Sequence, residues 1–211
     1  MDRHAWDERH GSRHRTEPEE PNRFLVATLR RATPGTALDV ACGRGRNAVW
    51  LAEQGWAVTG IDWSPVALRL AAQRAAEHGV ALRLVDADLL EWEPEDRYDL
   101  VCLLYLQVPA PERHAIWRKA ASAVAPGGRV LIIGHDARNL EEGYGGPSSA
   151  TVLYTAAEAA GVVGEHLVVA RAETLVRPVE VEDGVRHAID NLVLAVRAEP
   201  GRRGPGGAVA G

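Results

Sequence analysis

Two apolar patterns take turns along most of this chain. Ala37–Ala41, Trp56–Ile61, Val80–Val85, Tyr98–Leu106 and Arg129–Gly134 are short, nearly continuous apolar runs. Such runs are the mark of parallel strands buried on both faces. Between them, Asn22–Ala32, Ala48–Gln54, Pro65–His78 and Pro111–Ala125 carry apolar residues at helical spacing, which predicts helices covering a sheet. The punctuation agrees with this division. Pro21 stands at the first helix entry and Pro34-Gly35 at its end; Gly55 and Gly79 follow the next two. Ser64-Pro65 offers a cap and a first-turn proline, and Pro126-Gly127-Gly128 is expected to end the fourth helix.

Beyond the fifth strand the pattern changes. Ala137–Ser149 is glycine-rich and without period, a loop expected on the ligand side. Thr155-Ala156-Ala157-Glu158 reads as a capping box opening a short helix. Two long alternating runs, roughly Glu165–Val179 and Val185–Arg197, flank Asp183-Gly184 and predict an antiparallel hairpin. The expected fold is therefore α/β: a central, mostly parallel seven-stranded sheet, helices on both faces, and a C-terminal antiparallel β-hairpin. Residues 21–199 form one domain in this reading, with a polar segment over 1–20 and a disordered Gly/Pro/Arg tail over 200–211.

Composition narrows the class. Of 211 residues, 46% are hydrophobic and 25% charged, with net charge −5, ordinary for a soluble globular domain. Acids and bases are interspersed and no basic stripe is visible, so no nucleic-acid partner is expected. No run is long and clean enough to cross a membrane, and none near the N-terminus resembles a signal core. A cytoplasmic protein, monomer or homodimer, with Cys42 and Cys102 as buried reduced thiols is expected. His4, His10 and His14 fit no helical face cleanly, so no metal site is expected.

The candidate chemistry begins where the first strand ends, in Leu38-Asp39-Val40-Ala41-Cys42-Gly43-Arg44-Gly45-Arg46-Asn47-Ala48. Strand, glycine turn and helix bring bare backbone and a helix N-terminus towards a ligand. Gly43 and Gly45 alone would suit a dinucleotide, but Asp39 is an acid just before the turn and would repel a pyrophosphate. It suits an ammonium or sulfonium instead. Asp62, ending the second strand, stands where a nucleotide fold places its ribose-binding carboxylate. Trp63 follows and can lie against an adenine face. Leu104 and Tyr105 end the fourth strand and should border a reaction centre.

With Asp39 included, this stretch resembles the first motif of the class I, Rossmann-like S-adenosylmethionine-dependent methyltransferases. Gly60-Ile61-Asp62-Trp63-Ser64-Pro65, Tyr105-Leu106-Gln107-Val108-Pro109, Ala125-Pro126-Gly127-Gly128 and the early Trp6-Asp7-Glu8-Arg9 extend the likeness towards the tellurite-resistance and thiopurine methyltransferase branch. The chain departs from that branch at His135-Asp136 and the glycine loop.

The resemblance implies S-adenosylmethionine as cofactor, S-adenosylhomocysteine as product, and transfer to a small nucleophile: thiol, chalcogen oxyanion, halide, hydroxyl or amine. It places Trp6, Asp39, Ala41, Gly43, Gly45, Arg46, Asn47, Asp62, Trp63, Asp88, Leu89 and Leu104 around the cofactor. Asp88 fits the adenine-amino position better than Asp86, with an adjacent backbone N–H meeting the ring. Trp6 either closes as a lid or pins the tail to the body. Arg46 either attracts an anion or is a solvated first-turn arginine. His135, oriented by Asp136 or another acid, is the candidate general base; its alternative is a histidine bonding local backbone. Tyr105 either guides or deprotonates the acceptor, or is only wall. Tyr144, Tyr154 and Arg177 are further lining candidates. A nicotinamide-dependent reductase and a non-catalytic S-adenosylmethionine-binding module are the competing functions.

Overall fold

The computed structural model describes residues 20–199; Trp6, the polar segment before residue 20 and the tail from 200 lie outside them. In chain order the elements are α1 (Arg23–Leu29), β1 (Thr36–Val40), α2 (Arg46–Glu53), β2 (Ala57–Asp62), α3 (Pro65–Glu77), β3 (Arg83–Asp86), β4 (Tyr98–Leu104), α4 (Ala110–Ser122) and β5 (Val124–His135). A short α5 (Asn139–Glu142), a 3-10 turn (Ala150–Val152), α6 (Ala156–Val163), β6 (Val168–Val181) and β7 (Gly184–Val196) complete the order.

The seven strands form one sheet in the order β3-β2-β1-β4-β5-β7-β6. β1 to β5 are mutually parallel, and β7 inserts antiparallel between β5 and β6. β1 and β4 are neighbours although α2, β2, α3 and β3 separate them in sequence. That reversal of strand order opens a crevice at their C-terminal ends, where ligands bind in open α/β sheets.

Alternation along the strands divides the core in two. Leu38 and Val40 of β1, Val101 and Leu103 of β4, and Val130 and Ile132 of β5 pack with Trp117 of α4 and Val163 of α6 on one face. Ala37, Leu100, Cys102, Leu131 and Ile133 pack with Leu25 of α1 and Leu51 of α2 on the other, together with Leu192 of β7. Trp117 is fully buried and meets the Tyr154 ring edge-on at 4.9 Å.

Caps fall where the sequence places them. Ser64 accepts from the Ala67 N–H ahead of Pro65 at the start of α3. The Thr155 hydroxyl accepts from the Glu158 N–H and caps α6. The capping box is completed on one side only, because the Glu158 carboxylate turns to Arg113 at 2.6 Å. Two expectations are corrected. Pro126-Gly127-Gly128 does not end α4: that helix stops at Ser122 and β5 already runs from Val124. The segment 137–149 is not all loop, because Asn139–Glu142 closes a single helical turn. Among the described residues no helix is long and apolar enough to cross a membrane.

Gly45 is the N-cap of α2, with φ +75. A Cβ there would come within 2.8 Å of the Ala71 Cβ on α3, so left-handed backbone and helix–helix contact both require glycine. Gly45→Ala is expected to lower stability by about 1–3 kcal/mol, read as a shift in the denaturant midpoint. Adding Ala71→Gly should recover the steric share of that loss; no recovery would mean the contact is not what excludes a side chain.

Candidate functional site

A cavity of about 510 Å³ opens at the C-terminal ends of the parallel strands. Asp39, Ala41, Gly43, Arg46, Asn47, Asp62, Trp63, Asp88, Leu89, Leu104, Tyr105 and His135 all line it. The three acids therefore converge on one cleft. Gly45 is not among the lining residues; it faces Ala71, behind the turn. Asp86 is absent from the lining and Asp88 is present, while Tyr154 is buried in the core against Trp117. Tyr154 is thus corrected from lining residue to core residue, its hydroxyl occupying the space a side chain on Gly134 would need.

The three acids are held differently. Asp62 is buried, its Oδ2 accepting from the Gly43 N–H at 2.9 Å and its Oδ1 from the Ser64 N–H at 3.0 Å. It ties the glycine turn to the end of β2, and each oxygen keeps a lone pair for a ligand. Asp88 is exposed and accepts from the Leu90 N–H at 2.8 Å, fixing the turn after β3. Asp39 is 1% exposed, and its Oδ2 has no hydrogen-bond partner. Burial foremost, then the charge of Asp62, pushes the Asp39 carboxyl up to about 7; Arg46 and the Ala48 N–H pull the other way. An orphaned acceptor inside a ligand cleft fits a cationic donor such as the ammonium of an amino acid.

The rim is held under local strain. Ala41 after β1 and Tyr105 after β4 both adopt φ +58, uncommon for non-glycine residues and rarer still for a bulky one. Each turns its chain sharply where strand gives way to cavity wall.

The far end of the cleft is a buried polar cluster. Asp190 of β7, fully buried, accepts from the Tyr105 hydroxyl at 3.0 Å and from Arg177 Nε at 2.8 Å, both on Oδ2. His135 Nδ1 lies 3.1 Å from Asp190 Oδ1, at ion-pair distance but poorly aligned for a hydrogen bond. Burial alone would raise the Asp190 carboxyl, but His135 and Arg177 outweigh it and hold it below the usual range. Burial first, then the Asp190 charge, raises the Tyr105 phenol above its ordinary range. Tyr105 is therefore a proton-bearing donor to Asp190, unsuited to deprotonating an acceptor. Asp136 does not orient His135: its carboxylate receives the Arg138 N–H and Nε and the Thr174 hydroxyl.

A second chamber of about 630 Å³ adjoins the first, sharing Gln107, His135 and Arg177 with it. The glycine loop encloses it, with Tyr144, Pro147, Val152 and Val179 as walls. Gly146, at φ +82, lets the loop pass over the imidazole; a Cβ there would lie 3.1 Å from His135 Nε2. Asn139 fixes the loop by donating to the Gly145 carbonyl at 2.8 Å and accepting from the Ile189 N–H at 2.6 Å.

Two contributors escape the sequence reading. Asp190 sits in phase with buried Leu192 on β7, and an acid on the apolar phase of a strand is the signal that marks Asp39. Residues 20–23 cross the cavity mouth, anchored where the Asn22 N–H donates to Asn47 Oδ1 at 2.9 Å and the Asn22 amide to Tyr105 at 3.4 Å. No sequence signal marks that contact.

Residues 37–128 match the family described as methyltransferase domain. Among curated proteins, the ubiquinone biosynthesis O-methyltransferase of Aeromonas salmonicida is 35% identical over 97 residues, 45% of this chain and 41% of that protein. The chain spans only about two-fifths of such relatives, at 41%, 40% and 39% of their lengths. A structure described by conversion of a disulfide bond into a thioacetal group during echinomycin biosynthesis superposes with TM-score 0.71 at 23% identity, covering 93% of this chain and 92% of that one. Magnesium protoporphyrin IX methyltransferase from Synechocystis PCC 6803 with bound S-adenosylmethionine gives 0.60 at 21%, covering 93% and 79%. TehB from Haemophilus influenzae gives 0.69 at 15%, covering 83% and 62%. These structures share the fold, and TehB is one of several neighbours. Residues 37–128 are thus similar to a methyltransferase domain, and the superposed structures share the fold of the whole described chain.

Asp39 gives the site a pH signature. Its folded pKa of about 7 exceeds the unfolded value near 3.8, so the folded state binds more protons in between, and stability falls as pH rises from about 4 to about 7. Asp39→Asn should therefore gain stability relative to the parent across that window, by up to about 4 kcal/mol at pH 8. Urea midpoints of both proteins at pH 5 and pH 8 read it; an equal difference at both pH values would remove Asp39 as the cause.

Proposed function

We propose that this chain is an S-adenosylmethionine-dependent methyltransferase acting on a hydroxyl or thiol of a small organic acceptor. The observation that carries the proposal is the placement of three carboxylates, Asp39, Asp62 and Asp88, at the strand ends around one cavity, with the Asp39 Oδ2 unpartnered. A nicotinamide cofactor would bring its pyrophosphate towards negative charge, so the reductase reading is disfavoured. In the favoured reading Asp39 receives the amino-acid ammonium, Asp62 both ribose hydroxyls and Asp88 the adenine amino group. Trp63 and Leu89 border the ring, and Leu104 backs the sulfur end.

When bound, S-adenosylmethionine supplies an electrophilic sulfonium methyl, and the electron pair of the broken C–S bond stays on sulfur. The acceptor oxygen or sulfur forms the new bond to the methyl carbon, and its proton passes to His135 Nε2. The protein supplies position above all; holding reactants aligned at about 3–3.5 Å is worth roughly 7–11 kcal/mol. A base matters only when the acceptor arrives protonated. Halides and chalcogen oxyanions need none, so an available imidazole favours a hydroxyl or thiol. The second chamber, at about 630 Å³, suits an organic molecule, since small-molecule pockets run from about 300 to 1,000 Å³. An O-methyltransferase relative agrees with a hydroxyl.

Label transfer from methyl-labelled S-adenosylmethionine to a panel of phenols, thiols, halides and chalcogen oxyanions tests this reading. Transfer to phenols or thiols is expected. Transfer to the inorganic ions alone would overturn the organic acceptor, and cofactor binding with no transfer would favour the non-catalytic module. By calorimetry, Asp62→Ala should weaken S-adenosylmethionine binding by about 1–3 kcal/mol, the worth of a charge-assisted hydrogen bond. Unchanged affinity in a folded variant would take Asp62 out of the site.

A further inference from the structure

We infer that Asp190 is a positioning residue for His135, fixing the proton on Nδ1 so that the Nε2 lone pair faces the acceptor chamber. This deepens the methyl-transfer reading and rests on it. The pairing is built into the sheet: in the antiparallel β5–β7 ladder His135 stands directly opposite Asp190. Directly opposed residues bring their side chains together on one face.

The two carboxylate oxygens divide their work. Oδ2 takes both fixed donors, the Tyr105 hydroxyl at 3.0 Å and Arg177 Nε at 2.8 Å. Oδ1 lies 3.1 Å from His135 Nδ1, and neither of these two atoms has any other hydrogen-bond partner. An anchor for Arg177 and Tyr105 alone would need only Oδ2. Oδ1 is held, fully buried, at ion-pair distance from the imidazole. A small ring rotation aligns the pair, and a carboxylate accepts only from a protonated nitrogen. The tautomer with Nδ1–H is then the one stabilised, leaving Nε2 as the acceptor atom.

Nε2 lies under the backbone of Gly146, beside the region where the two chambers share Gln107, His135 and Arg177. The Tyr105 ring, 4.8 Å from the imidazole, limits its swing from the other side. Arg177 supplies the positive charge that lets Asp190 remain a carboxylate out of water. Tyr105, Arg177 and Asp190 together act on His135.

The test is Asp190→Asn, read in two ways. In protein labelled with ¹⁵N-histidine, ring nitrogen shifts of the parent should report His135 protonated on Nδ1, and the variant should lose that preference. With an acceptor identified by label transfer, kcat should fall by about 100-fold or more, the range in which a general base contributes, while KM for S-adenosylmethionine changes less than about twofold. Combined with His135→Ala, Asp190→Asn should add little further loss. Unchanged tautomer signals, or a tautomer change that leaves kcat intact, would overturn the inference. If the variant fails to fold because Arg177 is left unpaired, Asp190→Asn/Arg177→Met removes the orphaned cation and gives the same tautomer reading. A tautomer change in a protein that transfers label to nothing would uphold the His135–Asp190 coupling and sink the methyl-transfer reading, so the two failures are distinct.

Discussion

A carboxylate taken out of water must be given a partner, and the site is organised by how three buried acids meet that demand. Asp62 is satisfied locally by two backbone N–H groups, so it needs no ligand and doubles as a brace for the glycine turn. Asp190 is compensated at long range: its Oδ2 accepts from Arg177 and Tyr105, and its Oδ1 lies at ion-pair distance from His135. Asp39 is left half satisfied, with one oxygen unpartnered and its carboxyl pushed up to about 7. The first two acids are compensated when the protein folds. The third carries a deficit that a cationic donor can remove.

Strand alternation brings these groups to one side. Asp39 shares the β1 phase of Ala37, and His135 the β5 phase of Leu131 and Ile133. Asp190 shares the β7 phase of Leu192, and Arg177 the β6 phase of Leu175. All four therefore project from the face covered by α1 and α2, where the core stops and the cleft begins. A slip of one residue in any of these strands would send its polar group to the opposite face. The β5–β7 register thus matters as much to the His135–Asp190 pair as the side chains themselves.

Most of the fold was legible because buried parallel strands and their helices carry strong local patterns. The five strands, the hairpin and the caps at Ser64 and Thr155 follow from apolar runs and from single residues with one physical use. The misreadings come from signals with two meanings. Pro126-Gly127-Gly128 is good punctuation for a helix end, yet the helix had already stopped at Ser122. Gly45 reads as room for a ligand and is room for Ala71. The acidic rim was legible because Asp39 interrupts an apolar run, and Asp62 and Asp88 stand at or just beyond the ends of two others. The clustering of Asp190 with Arg177 and Tyr105 was not, because strand order alone brings them together, across 85 residues in the case of Tyr105 and Asp190.

That division has a functional consequence. The segment matched to the methyltransferase-domain family, residues 37–128, contains Asp39, Asp62, Asp88 and Tyr105. His135, the glycine loop, Arg177 and Asp190 all lie beyond it, on the last strand of the parallel set and on the hairpin. The hairpin is long, with paired strands of 14 and 13 residues, and its register against β5 sets the distance between His135 and Asp190. In the proposed reading, acceptor choice can therefore change through β6, β7 and the loop at 143–149 without disturbing the carboxylates assigned to the methyl donor. Tyr105 is where the two halves meet: it follows β4 directly, lines the cleft, and commits its hydroxyl to Asp190. Its left-handed backbone is the strain expected where one residue must serve the strand behind it and the site in front.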